Sequence, residues 1–155
     1  GVIALASSEL AKHRVQVETA LAPGLPQVPA DRAQLQQVIW NLIMNAAESM
    51  DAVTDRARLL GVRSETHDPA SVVLTVEDTG VGIDPRHYDR IFEAFFTTKS
   101  NGIGMGLSIC RSIVEAHGGC LSTSPAHPHG SIFKVVLPVA ALTAEEEPQQ
   151  FESRP

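Results

Sequence analysis

The sequence predicts a single α+β domain, and three observations lead to that fold class. The chain has 155 residues, which suits one domain with a core of its own. Residues 31–50 and 105–117 repeat apolar side chains every three or four positions, which is typical of amphipathic helices. Residues 71–77 alternate two sets of side chains, as a half-buried antiparallel strand does.

Charge and composition exclude several classes of partner. The formal net charge is −6, which argues against nucleic acid or an anionic membrane surface as the main partner. No apolar run approaches the ~18 residues that cross a bilayer, and the first residues lack the profile of a secretory signal. Cys110 and Cys120 are too few for a disulfide framework and lack metal-ligand spacing, so we expect reduced thiols in a cytoplasmic protein.

The first third of the chain predicts a short strand followed by a long helix. Residues 1–12 have weak helical periodicity and are expected to be a linker or the end of an upstream helix. Residues 15–19 alternate as a strand, and residues 22–29 form a connector rich in proline and glycine. Asp31 is then a good N-cap for a helix that runs to about Met50.

This long helix carries an unusual polar stripe. At ~100° per residue, five polar side chains fall within a quarter-turn: Gln34, Gln37, Asn41, Asn45 and Glu48. Asparagine competes for backbone hydrogen bonds and is a middling helix former, so two on one face need a reason. Either the stripe is simply solvated, or the amide oxygens of its asparagines help to hold a hard cation such as Mg²⁺.

Two strands are predicted next, over residues 58–65 and 71–77, with a turn between them. The second strand runs into Asp78-Thr79-Gly80-Val81-Gly82. A carboxylate at a strand end, followed by glycines that leave space, can accept a hydrogen bond from a buried donor such as an exocyclic amine. Asp78 can equally open a tight turn, because Asp and Gly are turn residues.

The rest of the chain predicts one more helix and two closing strands. Asp84 and Pro85 can start the helix. Its apolar side would be formed by Ile91, Phe92, Phe95 and Phe96. Strands near residues 121–123 and 132–137 close the fold. Residues 141–155 are polar and acidic, so we expect a disordered tail or a linker there.

A glycine-rich loop runs directly into the helix that starts near residue 105. It contains Gly102, Gly104 and Gly106, with Lys99 just ahead. Glycine lets backbone approach a ligand closely, and the first turn of a helix offers unpaired N–H groups, so this junction suits a phosphate. The loop matches neither a Walker A motif nor a dinucleotide fingerprint. Taken alone, it is explained equally well as a flexible connector.

Four motifs stand in a recognisable order along the chain: Asn41-Leu-Ile-Met-Asn45-Ala, Asp78-Thr-Gly-Val-Gly82, Phe92-Glu-Ala-Phe95-Phe-Thr-Thr-Lys99 and Gly102-Ile-Gly-Met-Gly106-Leu. In sequence and spacing they resemble the N, G1, F and G2 boxes of the catalytic and ATP-binding domain of a sensor histidine kinase, over about residues 13–138. The Thr-Thr-Lys and the later Ser-Ile-Cys-Arg-Ser-Ile-Val-Glu-Ala-His-Gly-Gly look most like the oxygen- and nitrogen-sensing branch of that family.

The resemblance implies a two-layer α/β sandwich of the GHKL (Bergerat) type. In that fold, helices cover one side of a mixed, mostly antiparallel sheet, and ATP lies between the helices and a mobile lid. Related domains occur in type II topoisomerases, mismatch-repair ATPases and the large heat-shock chaperones. The resemblance places the ATP-binding catalytic domain over residues 13–140.

The resemblance also implies roles for individual residues. Asp78 would accept the adenine amino group, the hydroxyl of Ser131 would support Asp78, and Asn45 would hold Mg²⁺. Asn41 would lie near the phosphates and Lys99 would reach the terminal ones; with Asn45, these are the expected catalytic residues. The remaining contacts to ATP would come from Gly80, Gly82, Ile83, Gly102, Gly104, Met105, Gly106 and Leu107.

Asn41 separates a kinase from a hydrolase. ATP-hydrolysing relatives carry a glutamate at that position as general base for water, and an amide cannot take that proton. We therefore expect transfer of the γ-phosphoryl group to a protein histidine. A free ATPase and a nucleotide-binding regulatory module without turnover are the alternatives.

The phosphoacceptor is expected outside this chain. The family carries it on a separate helical hairpin in a His-Glu/Asp-x-x-Arg/Thr-Pro context, and none of the 6 histidines here has that context. The expected partners are therefore that hairpin, upstream of Gly1 or on another chain, and indirectly a response regulator. We expect no nucleic acid, no direct membrane contact and a monomeric isolated domain.

Overall fold

The computed structural model describes residues 2–94 and 106–139, which form a five-stranded sheet with three helices on one face. The helices are α1 (Val2–Lys12), α2 (Arg32–Ser49) and α3 (Gly106–Ala116). The strands are β1 (Gln16–Leu21), β2 (Leu59–Asp68), β3 (Ser71–Asp78), β4 (Cys120–Pro125) and β5 (Ser131–Pro138). They lie in the order β1-β2-β3-β5-β4, with β1 parallel to β2 and the other pairs antiparallel. The predicted α+β fold, a two-layer sandwich with a mixed sheet, is confirmed.

The hydrophobic core lies between the helices and one face of the sheet. Alternate residues of the strands point into it, among them Val76 and Phe133, which are paired across β3 and β5. The helices contribute Leu10, Leu42 and Val114, each no more than 1% exposed. Burying a side chain of this kind stabilises the fold by about 1.5–3 kcal/mol. The core-facing side chains of β3, which alternate along the strand, therefore pack the sheet against the helices.

The helix predicted from Asp31 is confirmed at both ends. The Asp31 carboxylate accepts a hydrogen bond from the Gln34 N–H at 3.1 Å, and Met50 forms the C-cap. His117, just beyond α3, ties the two helices together: its Nε2 accepts from the Asp31 N–H at 3.1 Å, and its Nδ1 lies 2.8 Å from the Ile113 carbonyl oxygen. These contacts fix the side of α2 that faces α3.

Residues 2–12, where weak helical periodicity was noted, form the helix α1, which packs on α2. Val2, Ala6 and Leu10 lie in the common core. The guanidinium of Arg58 holds the far end of α1, because it donates to the carbonyl oxygens of His13 at 2.7 Å, Asp51 at 3.1 Å and Val53 at 3.1 Å. The predicted domain boundary near residue 13 thus lies between α1 and β1, and residues of both elements pack in the same core.

The helix predicted after Asp84 and Pro85 is wrong in its length. Asp84 does cap a helical turn, but only the 3-10 segment Pro85–His87 forms, followed by turns up to residue 94. Tertiary packing explains the apolar residues there: Ile91 is 8% exposed, and the Phe92 ring meets Phe133 edge-on with centroids 6.4 Å apart. Phe95 and Phe96, the other two members of the predicted apolar side, lie outside the described residues.

Candidate functional site

Asp78 ends β3 with a side chain that is only 1% exposed. Its Oδ1 accepts hydrogen bonds from the Gly80 N–H at 2.8 Å and the Ser131 N–H at 3.3 Å, and the Ser49 hydroxyl lies within hydrogen-bonding reach. Burial raises the pKa of the Asp78 carboxyl above its ordinary value, and these hydrogen bonds offset part of the rise. The result is a buried acceptor held in one orientation.

The chain after Asp78 is pressed against the last turn of α2. A Cβ on Gly80 would lie 2.6 Å from the carbonyl oxygen of Ser49, and the Val81 N–H donates to that same oxygen at 3.1 Å. On the other side, a Cβ on Gly130 would lie 2.7 Å from the backbone carbonyl carbon of Asp78. Only glycine fits at these two close approaches. Asp78 is therefore clamped between the end of α2 and the start of β5.

Asn45 lies one helical turn before Ser49, on the same face of α2. The side chains of Asn45 and Ser49 therefore point the same way, about 6 Å apart along the helix axis. Because Ser49 touches Asp78, the amide of Asn45 and the carboxylate of Asp78 lie on the same side of the molecule. Asn45 is half-buried, between the exposed Glu48 and the buried Leu42.

Asn41, a further turn back along α2, meets helix α3. Its side chain lies within hydrogen-bonding reach of the thiol of Cys110, whose Sγ donates to the Val38 carbonyl oxygen at 3.8 Å. Burial raises the pKa of the Cys110 thiol to about 11, so the thiol stays protonated at neutral pH. Cys110 is one turn after Gly106, the first residue of α3. The N-terminus of α3 therefore lies close to Asn41.

These contacts define a track along α2, formed by Asn41, Asn45 and Ser49. The track runs about 12 Å along the helix axis at about 1.5 Å per residue. At one end lies the buried carboxylate of Asp78, and at the other lies the first turn of α3, where the helix dipole is positive. An amine-bearing group suits the first end and an anion suits the second.

The other predicted site residues that the structure describes lie near the two ends of the track. Gly82, with φ of +80°, and Ile83 help to line a pocket of about 260 Å³ between residues 81–83, Tyr88 and residues 125–130. Leu107 packs against the core at the start of α3, beside the exposed Gly106. Lys99, Gly102, Gly104 and Met105 lie outside the described residues.

Two negative findings apply to residues 2–94 and 106–139. Over these ranges, no group of three or more histidine, cysteine and acidic side chains is arranged to hold a metal ion. Nor does any helix within them have the length and apolar character needed to cross a membrane.

Sequence reasoning missed four residues that shape the site: Ser49, Cys110, Gly130 and Arg56, whose guanidinium donates to the carbonyl oxygens of Thr79 and Gly80 beside Asp78. Ser49 could have been found, because it follows Asn45 at helical spacing. The other three act through contacts between elements far apart in the chain, such as the approach of Gly130 to Asp78, and no local pattern marks them. The prediction for Ser131 is refined: its backbone N–H is the group that donates to Asp78.

Comparison with known sequences finds a family over most of the chain. The family described as "Histidine kinase-, DNA gyrase B-, and HSP90-like ATPase" matches residues 30–141. The sensor protein TdiS of Thauera aromatica is 42% identical over 86% of this chain, and the sensor protein FixL of Bradyrhizobium diazoefficiens is 40% identical over 90%. The chain spans about a quarter of each of these relatives, 24% and 27% of their lengths.

Solved structures resemble both the sequence and the fold. A mycobacterial sensor histidine kinase, MprB, superposes with a TM-score of 0.75 and 30% identity over 89% of this chain and 92% of the MprB chain. Full-length ShkA in complex with AMPPNP has a TM-score of 0.77 and 29% identity over 92% of this chain and 29% of its own. The histidine kinase ThkA in complex with the response regulator TrrA has a TM-score of 0.73 and 29% identity over 90% of this chain and 38% of its own.

The fold comparison and the sequence comparisons agree. The chain belongs to the histidine kinase-, DNA gyrase B- and HSP90-like ATPase family and, within it, to the catalytic domains of sensor histidine kinases.

Proposed function

We propose that this chain binds ATP·Mg²⁺ and transfers the γ-phosphoryl group to a histidine on a separate phosphoacceptor hairpin. The observation that carries the proposal is the track along α2, which joins the buried Asp78 carboxylate to the N-terminus of α3. ATP has an exocyclic amine at one end and three phosphates at the other, so its two ends match the two ends of the track.

Asp78 would recognise the base. Its carboxylate is buried and held by two backbone N–H groups, so it can accept a charge-assisted hydrogen bond from the adenine amino group without first reorganising. Gly80 lets the Asp78 segment pack against Ser49, Gly82 lines the adjoining pocket, and Ile83 would offer an apolar surface to the base. Ser131 keeps the carboxylate in place through its N–H.

The other end of the track would hold the phosphates. Asn41, Gly106 and Leu107 lie where the first turn of α3 meets α2, and helix N-termini favour anions. We expect Gly102, Gly104 and Met105 to approach the triphosphate through their backbone and Lys99 to reach the terminal phosphates with its ammonium group.

The track fits a magnesium ion bound together with the phosphates. Asn45 offers a neutral amide oxygen from a half-buried position between the two ends, which is a ligand type that Mg²⁺ accepts when phosphate and water supply the others. When bound, the ion supplies neutralisation of phosphate charge. Asn45 would hold it, and Asn41 would orient the nearby phosphate oxygens.

The amide at Asn41 favours phosphoryl transfer over hydrolysis. A neutral imidazole already carries a lone pair on one ring nitrogen, so a histidine acceptor needs no base to attack the γ-phosphorus in line. Water does need one. A site that positions the phosphates but offers an amide at this place therefore suits a histidine acceptor, chiefly through orientation and charge neutralisation.

The expected partners follow from this reaction. The phosphoacceptor hairpin must bring its imidazole to the phosphate end of the track, and the phosphohistidine would then supply a response regulator, the class of partner bound to ThkA. A cytoplasmic location agrees with the use of ATP and with two free cysteines.

The test combines binding with transfer. Calorimetry of the chain with ATP, with and without Mg²⁺, should give binding that strengthens with the ion. The chain, mixed with the histidine hairpin of its own kinase and γ-labelled ATP, should then produce a label that is lost in acid and stable in base. Tight binding without label would contradict the kinase, and steady phosphate release without the hairpin would indicate an ATPase instead.

A further inference from the structure

Arg56 lies in the connection between α2 and β2, away from the track, yet its side chain reaches the segment that carries Asp78. Its guanidinium donates from Nε to the Thr79 carbonyl oxygen at 2.9 Å and from Nη2 to the Gly80 carbonyl oxygen at 2.8 Å. Nη1 is paired with Asp55 at 2.9 Å. The side chain is 23% exposed, so this contact is partly shielded from water.

The two carbonyl groups that Arg56 holds belong to two successive peptide units. In a trans peptide unit the C=O and the N–H point in opposite directions. Because Arg56 takes the Thr79 carbonyl on one side, the Gly80 N–H is directed to the other side, where it donates to Asp78 Oδ1 at 2.8 Å. Because it also takes the Gly80 carbonyl, the Val81 N–H is directed to the Ser49 carbonyl at 3.1 Å.

We propose that Arg56 is a positioning residue for base recognition, which orients the Asp78 carboxylate through the Thr79–Gly80 peptide unit. This inference rests on the proposed function, because it assumes that Asp78 receives the adenine amino group. Arg56 itself touches neither the base nor the phosphates in this scheme.

The planar fork of arginine is what the site requires. Two donors on one rigid group meet two adjacent carbonyl oxygens at once, which a lysine ammonium on a flexible stem does not reproduce. The Thr79 hydroxyl adds to the same attachment, because it donates to the Ala57 carbonyl at 2.7 Å and accepts from the Leu59 N–H at 3.1 Å. Thr79 keeps the end of β3 near β2, while Arg56 fixes the orientation of the Thr79–Gly80 and Gly80–Val81 peptide units.

Arg58 is a matched control. It is two residues away, is also half-buried, and also donates from its guanidinium to backbone carbonyl groups, those of His13, Asp51 and Val53. None of these carbonyl groups belongs to the Asp78 segment. Arg56→Lys and Arg58→Lys therefore remove similar hydrogen bonds from the fold, and only the first affects Asp78.

The test measures the affinities of the 155-residue chain for ATP and GTP by calorimetry, with melting temperatures recorded in parallel. GTP has a carbonyl oxygen where ATP has the amino group, so the ratio of the two affinities reports on the carboxylate. We expect Arg56→Lys to weaken ATP binding about tenfold, as for loss of a hydrogen bond to a charged group, and GTP binding less than about twofold. Arg58→Lys should leave the ratio unchanged.

A pH profile gives a second readout that a purely structural role would not move. The Gly80 N–H bond lowers the pKa of Asp78, so loosening that bond should raise the pKa further. The loss of ATP affinity on acidification, as Asp78 becomes protonated, should then begin at a higher pH in Arg56→Lys than in Arg58→Lys. Arg56→Gln, which keeps an amide donor on a shorter stem, should change both readouts in the same direction.

Two results would overturn the inference while leaving the proposed function intact. One is an unchanged ATP to GTP ratio in Arg56→Lys and Arg56→Gln; the other is an equal loss of ATP affinity in Arg56→Lys and Arg58→Lys that follows the loss of melting temperature. If the unmodified chain does not bind ATP, or if Asp78→Asn binds it equally well, the proposed function fails and this inference fails with it.

Discussion

The two ends of the track along α2 are built differently. At the base end, Asp78 is buried, its carboxylate accepts from the backbone N–H groups of Gly80 and Ser131, and the Ser49 hydroxyl lies within reach. At the phosphate end, Asn41 is half-buried, Gly106 is exposed, and a Cβ on Gly106 would meet no atom of residues 2–94 or 106–139 within 4 Å. Asp78 is therefore enclosed by the folded core, whereas the described residues leave Gly106 exposed.

This difference indicates which residues of the track contribute to the stability of the fold and which contribute to nucleotide binding. Residues at the base end serve the fold and the nucleotide together, so changes there should alter both. At the phosphate end, Asn41 and Leu107 also contact the fold, whereas Gly106 is exposed, so a change at Gly106 should affect binding without destabilising the fold. The predictions below test this division, in order of expected effect.

The largest effect is expected from an added methyl group at the base end. Gly80→Ala places a Cβ against the backbone of Ser49, which cannot move as a flexible side chain would, so overpacking should destabilise the fold by about 1–3 kcal/mol or more. Gly106→Ala is the matched control at the phosphate end, and it should not lower the melting temperature. Equal thermal stability of the two variants would contradict the division.

Asp78→Asn should separate binding from folding. The amide loses a charge-assisted bond worth about 1.5–3 kcal/mol, which corresponds to at least a tenfold loss of ATP affinity by calorimetry. The fold should gain stability at pH 7, because the amide can still accept from Gly80 and Ser131 and no ionised group is buried. A less stable Asn variant with normal ATP affinity would be the opposite of this expectation.

The stability gain in Asp78→Asn should depend on pH in a defined direction. The folded pKa of Asp78 is raised above the ordinary 3.8, so the folded state binds the proton more readily than the unfolded state. The cost of burying the charge is therefore absent below pH 3.8, grows as pH rises towards the folded pKa, and is constant above it. Melting curves of the two proteins should converge as the pH is lowered towards 4. A gap that widens in acid would reverse the sign of the effect.

Asn45→Ala should have a smaller effect on ATP binding. Removing a half-buried amide from the helix face should weaken ATP binding in the presence of Mg²⁺ more than in its absence, because the amide oxygen acts through the ion. Calorimetry with Mg²⁺ and with a chelator gives both values. An equal loss in the two conditions would remove the metal role of Asn45.

The smallest effect concerns the thiols. Cys120 is exposed, whereas burial raises the pKa of Cys110 to about 11, so a thiol reagent at pH 7.5 should label Cys120 and spare Cys110 until the chain unfolds. Mass spectrometry of the labelled peptides gives the ratio, with Cys120→Ser as the control. Rapid labelling of Cys110 in the native chain would show that the contact between α2 and α3 at Asn41 opens readily.

The fold was largely predictable because its signals are local. Asp31 caps α2 as its residue type indicates, and the alternation around Val76 marks the core face of β3. The segment after Pro85 was not predictable, because Ile91 and Phe92 are apolar for contact with Phe133 and the core and do not lie along a helix.

The site was predictable only where its residues form motifs. Asn41, Asn45 and Asp78 stand in short patterns, and the fold brings them to one side of the molecule. Arg56 and Cys110 were missed, because each acts on a residue more than twenty positions away, and only the packed structure creates those pairs.

The most direct test is a crystal structure of the chain with a non-hydrolysable ATP analogue and Mg²⁺. The account predicts that the adenine amino group donates to Asp78 and that the phosphates lie beside Asn41 and the first turn of α3, with the metal ion at Asn45. An analogue bound elsewhere, or bound with its base at the α3 end and its phosphates at Asp78, would contradict it.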